Sequence, residues 1–250
     1  MTTTPVREPR SAALPRATAM HLAAAEYRRF AELLTRLDEA AWSTPTECPG
    51  WDVRAMAAHA LGMVEMAASI RESNRQVKLA RGRGGAFLDA LTALQVDERA
   101  GMTPGQITEQ YAARAPKAAR ARKMTPGFIR RRAIPIPQQV GDQEESWTVG
   151  YLIDIIFTRD PWMHRIDITR ATGATNQLTA DHDGVLVADV VAEWAQRHGQ
   201  PYTLRLTGPA GGRWSSGTGG PDIEMDALEF CRILSGRSSG TGLLTTLVPF

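Results

Sequence analysis

Between Thr148 and Gly173 one apolar helical stripe is broken by three polar groups, and no other stretch restricts the fold as much. At about 100° per residue, with Asp160 as reference, Val149, Ile153, Ile156, Met163, His164 and Asp167 fall within about 60° of it. Asp154, Thr158, Pro161 and Arg165 point the other way. A helix with such a stripe needs neighbours to cover it, and a helix bundle is the simplest host. Burying an imidazole or a carboxylate without partners is costly, so Asp160, His164 and Asp167 must be paired or hold a metal. Asp160 and His164 stand one helical turn apart, close enough to share one ion.

A second histidine follows the stretch Cys48-Pro49-Gly50-Trp51-Asp52-Val53-Arg54, at His59. Met56, Ala60, Met63 and Met66 share its helical face, so the imidazole points inward. A lone histidine in that setting is more often a core residue with a hydrogen-bond partner than a ligand. Two histidines and a carboxylate converging in a bundle nevertheless make a metal site with a coordination position left for substrate or water. Zinc suits these donors, and nickel, iron or manganese take the same types. Asp160 has a second reading, because Asp followed by Pro is a common helix start. Pro161 also removes the hydrogen bond to the carbonyl of Phe157. Asp167 either orients a ligand or pairs with Arg165 or Arg170.

These two segments, in this order and with Ile233-Leu234-Ser235-Gly236-Arg237 in the tail, resemble the mycothiol-dependent maleylpyruvate isomerase family. That family belongs to the DinB-like group of metal-binding four-helix bundles, and the resemblance runs from about residue 17 onward. It implies a divalent metal, zinc first, held by His59, Asp160 and His164, with mycothiol, the small thiol of actinobacteria, as co-substrate. It further implies that Arg237 holds the carboxylate of a small electrophilic substrate, although an arginine just past a helix end is also favoured by the helix dipole. The family more often carries glutamate where Asp160 stands, so this side chain is one methylene shorter. A thiolate that adds to an electrophile and stays gives an S-transferase; one expelled after bond rotation gives a cis–trans isomerase. Two other readings stay open: a zinc hydrolase of a small ester or amide, and a non-catalytic binding module whose metal site has decayed.

The expected class is α+β. Residues 1–15 read as a disordered arm, 16–175 as the helical bundle with the metal site, and 176–250 as a small α/β domain. Helical periodicity runs from Ala17 to Trp42, from Asp52 to about Glu72, weakly over Phe87 to Leu94, and again from Thr103-Pro104, an N-cap with a first-turn proline. Residues 124–147 read as irregular. Beyond Gly173, His182 to His198 is an amphipathic helix, Tyr202 to Leu206 alternates like a strand, and Asp226 caps a last helix.

A net charge of +2 is too small to argue for nucleic acid or a membrane surface. Eight Arg or Lys between residues 114 and 132 come without a recognised nucleic-acid motif, and Arg114, Lys117 and Arg120 read as a solvated helix face. Two cysteines, Cys48 and Cys231, make no disulfide framework, which points to a reducing cytoplasm. Cys48 reads as a turn residue, with no base beside it in sequence. No apolar run approaches a membrane span. The expected partners are therefore a small electrophile and a low-molecular-weight thiol, with the chain a monomer or homodimer.

Overall fold

The computed structural model describes residues 8–250. The first seven residues of the expected arm lie outside that range. Contacts divide the chain into two units. One comprises Pro15–Arg132 and Val149–Asn176; the other comprises residues 8–14, Ala133–Thr148 and Gln177–Phe250. The expected α+β class holds, with helices dominating the first unit and the longest strands near the C-terminus.

In the first unit α1 (Arg16–Arg36) buries Leu22, Tyr27, Phe30, Leu33 and Leu34, the residues its periodicity selects. A loop and a short 3-10 turn lead to α2 (Val53–Ala68), which begins where the Asp52 carboxylate accepts the Ala55 N–H at 2.8 Å. The expected single helix from Asp52 to Glu72 ends earlier, because Ser69 turns extended. Its hydroxyl then caps a new helix, α3 (Ile70–Arg83), by accepting from Glu72 N–H. Helix α4 (Phe87–Asp97) packs on α2 and α3. Helix α5 (Pro104–Met124) starts with a reciprocal cap between Thr103 and Gln106 and packs on α1 and α2. After the short α6 (Gly127–Arg130) the chain leaves this unit and re-enters it at Val149.

The run from Val149 to Thr172 is helical throughout but not uniform. It comprises α7 (Val149–Tyr151), a π turn (Leu152–Ile156) and α8 (Phe157–Thr172). At the π turn the Phe157 N–H reaches the Leu152 carbonyl, five residues back. The sequence pattern placed Asp154, Thr158 and Arg165 opposite the apolar stripe, as if on a wet face. All three are buried. Arg165 forms a bidentate pair with the fully buried Glu26 of α1, at 2.7 and 3.0 Å. Asp154 pairs with Arg130, and the Thr158 hydroxyl meets Arg122. Arg122 and Arg130 of the basic stretch are therefore core residues, whereas Arg114, Lys117 and Arg120 are exposed, as a solvated helix face requires.

In the second unit β3 (Tyr202–Thr207) lies between β4 (Gly212–Ser216) and β5 (Asp222–Asp226). It pairs antiparallel with β4, Leu204 opposite Trp214, and parallel with β5, Leu204 opposite Ile223. Tyr202, Leu204 and Leu206 point inward on alternate residues. Helix α9 (Asp183–His198) brings Trp194 against Tyr202 and Phe230, the last from α10 (Ala227–Leu234). The segment expected to be irregular holds a small hairpin, β1 (Gln138–Val140) with β2 (Gln143–Glu145). Arg10 makes a backbone bridge beside it, its N–H on the Ser146 carbonyl at 2.8 Å. Among the described residues no helix is long and apolar enough to cross a membrane.

Candidate metal centre

The turn before α2 shapes one wall of the site. Cys48 and Trp51 close a tight turn, with the Trp51 N–H on the Cys48 carbonyl at 3.0 Å, Pro49 second and Gly50 third at φ +79°. That conformation favours proline and glycine at those two places. It sets Trp51 near both imidazoles, 5.1 Å from His59 and 6.1 Å from His164 between ring centres.

His59 lies two turns into α2 and is 3 % exposed; His164, on α8, is 7 % exposed. Their rings stand perpendicular, 5.1 Å apart. Asp160 joins them. Its Oδ1 is 3.2 Å from His59 Nε2 and 3.5 Å from His164 Nε2. The donor atoms of the three residues lie within 4.8 Å of one another. Asp160 is the fourth residue of α8, inside a continuous helical run, so it is not a helix cap. Its Oδ2 is buried and has no hydrogen-bond partner among the described residues. Two ligand atoms bound about 2.0–2.2 Å from a tetrahedral ion sit about 3.3–3.5 Å apart, close to the spacings found. The orphaned oxygen and these spacings both fit a cation among the three side chains.

Each imidazole is steered by its other nitrogen. His59 Nδ1 is 2.7 Å from Oε1 of Gln95, a fully buried residue of α4. An amide oxygen only accepts, so Nδ1 carries the proton and Nε2 offers its lone pair toward Asp160. Gln95 is itself fixed, since its amide nitrogen donates to Oε1 of Gln76 at 2.9 Å. Gly62 makes room for it: a Cβ at that position would stand 2.5 Å from Gln95 Cγ. His164 Nδ1 is 3.2 Å from Oδ2 of the fully buried Asp167, which again leaves Nε2 toward Asp160. Without a cation the electrostatics are those of an ion cluster. Burial works against the charged forms. The two imidazoles nevertheless hold the Asp160 carboxyl far below the usual range, and Asp160 with Asp167 pushes His164 up to about 9.

Arg122 braces the helical segment that presents Asp160. Pro161 leaves the Phe157 carbonyl without its helical donor, and Arg122 Nη1 supplies one at 3.0 Å. Its Nε donates to the Ile153 carbonyl in the π turn at 2.6 Å, and Nη1 also reaches the Tyr27 hydroxyl at 2.9 Å. Periodicity points to His59, Asp160 and His164, but nothing near Arg122 in sequence signals this role. Gln95 had a weak signal, as the one amide on the buried face formed by Ala90, Leu91 and Leu94. Arg237 belongs to the other unit, one residue past Gly236 after α10, with its N–H on the Arg232 carbonyl at 2.9 Å.

Fold and site together define a helix-bundle protein with a His–Asp–His centre drawn from two packed helices. Residues 23–169 match the mycothiol maleylpyruvate isomerase N-terminal domain, and the chain belongs to that family. The matched span contains all three converging residues. The fold is similar to the crystal structure of the mycothiol-dependent maleylpyruvate isomerase, at 17% identity and a TM-score of 0.58, covering 90% of this chain and 91% of that one. It is also similar to a histidine-to-alanine mutant of that name, at 17% identity, a TM-score of 0.56 and the same coverage. No curated protein matches the sequence.

Proposed function

We propose that this chain is a metal-dependent, mycothiol-using enzyme, an S-transferase or cis–trans isomerase acting on a small electrophile. The observation that carries the reading is Asp160 Oδ1 lying within 3.5 Å of the inward nitrogens of both His59 and His164. Those three residues would hold the ion, zinc by donor type. A zinc-bound thiol is deprotonated near neutral pH, which supplies the nucleophile. His59 and His164 keep their lone pairs toward the centre because Gln95 and Asp167 take the opposite ring protons. Trp51 lies against both rings and supplies one wall of the reacting end. Arg237 is the candidate for the substrate carboxylate, and the family likeness supports mycothiol as thiol. A cytoplasmic location follows from that thiol.

The test is a thiol-consumption and product assay with mycothiol and unsaturated dicarbonyl acids. Metal-loaded protein should isomerise or conjugate the acid only when thiol is present, and His59→Ala should abolish the activity. Turnover unaffected by thiol would instead indicate a hydrolase. No turnover together with no metal binding would indicate a binding module.

A further inference from the structure

Cys48 has a chemical setting that its sequence neighbours do not show. Its half-buried Sγ lies 3.9 Å from Asp167 Oδ2, and the same oxygen lies 3.2 Å from His164 Nδ1. The donor atoms of Cys48, His164 and Asp167 all fall within 4.8 Å of one another. The set resembles the His–Asp–His centre in compactness and differs from it in carrying a sulfur. Nitrogen and oxygen ligands of a tetrahedral ion sit about 3.3 Å apart and sulfur and oxygen about 3.6 Å, so the Nδ1–Oδ2 pair is already at ligand spacing and the Sγ–Oδ2 pair is about 0.3 Å too long. Cys48 packs against the edge of the bundle core at the start of a turn whose Pro49 and Gly50 are exposed, so closing the gap moves a turn rather than a helix.

We propose that Cys48, Asp167 and the Nδ1 of His164 form a second, weaker metal site that shares one imidazole with the first. It takes a thiophilic divalent cation of the zinc or cobalt type, because a thiolate with an imidazole selects such ions over magnesium or calcium. Binding releases the thiol proton and the Nδ1 proton, and the carboxylate turns from accepting the ring N–H to ligating the ion. Occupancy comes second because the first ion already draws electron density from the shared ring. The half-buried thiol is the side of access, whereas Asp167 is closed off.

Cobalt titration of the full chain tests this, because thiolate-to-cobalt charge transfer gives a near-ultraviolet band that nitrogen and oxygen ligands do not. In the unsubstituted protein the first equivalent should bind without the band and the second should bring it in. Cys48→Ser should lose the band and the second equivalent while keeping the first. His59→Ala should lose the first equivalent and keep the band. Absence of the band at saturating cobalt, or its survival in Cys48→Ser, overturns the second site. A band in unsubstituted protein that lacks the tighter thiolate-free equivalent supports the second site and removes the metal basis of the proposed function.

Discussion

At the scale of single residues, metal binding depends on which ring nitrogen each histidine offers. Gln95 is the sharpest case because its amide oxygen fixes the His59 tautomer without touching the centre. Replacing it with the similarly shaped methionine should weaken metal affinity about 10- to 100-fold by chelator competition. Thermal stability should change far less, and nitrogen NMR should show a mixed His59 tautomer where the unsubstituted protein shows Nδ1–H. Gly62→Ala should act through the same contact. Its new methyl group meets Gln95, so about 1–3 kcal/mol of destabilisation and a loss of metal affinity are expected together, read by urea unfolding and chelator titration. The three converging residues were legible because a polar group on an apolar stripe is visible in one chain segment. Gln95 was harder to find, since only the approach of α4 to α2 shows what its amide serves.

At the scale of elements, the run from α7 to α8 departs most from a regular helix. The sequence pattern assumed ordinary helical phase from Thr148 to Gly173, but the π turn shifts residues before Phe157 relative to those after it. The supposed wet face is buried because α1 and α5 bring Glu26 and Arg122 to it, contacts that local periodicity cannot encode. Ser69 splits another expected helix for the opposite reason: a purely local cap outweighs a continuing apolar pattern. Arg122→Met should leave the Phe157 and Ile153 carbonyls without their side-chain donor, a cost of about 3 kcal/mol or more. If the variant folds, its metal affinity should fall as well, because the segment presenting Asp160 loses its brace. Lysine at this position should recover part of the stability and less of the affinity, since it lacks the planar fork.

At the scale of the whole molecule, the class was readable while the path of the chain between the two units was not. Residues 133–148 looked like an irregular piece of the bundle, yet they group with the C-terminal unit, where Glu145 meets Arg10 and Arg197. Burial raises the Glu145 pKa, but these two guanidiniums outweigh it and hold the carboxyl down to about 2, against an ordinary 4.5. The stabilisation is therefore complete above about pH 4.5 and is lost as pH falls toward 2. Trp147, whose indole N–H donates to Glu145 at 3.1 Å, should report that loss in an acid fluorescence titration, and Glu145→Gln should flatten the change in this window. Metal binding by the other unit is measured by elemental analysis of the intact chain, loaded with zinc and freed of excess. About one tightly held ion per chain is expected, and essentially none in His164→Ala of unchanged circular dichroism. Unsubstituted protein that is folded but retains no ion would contradict it.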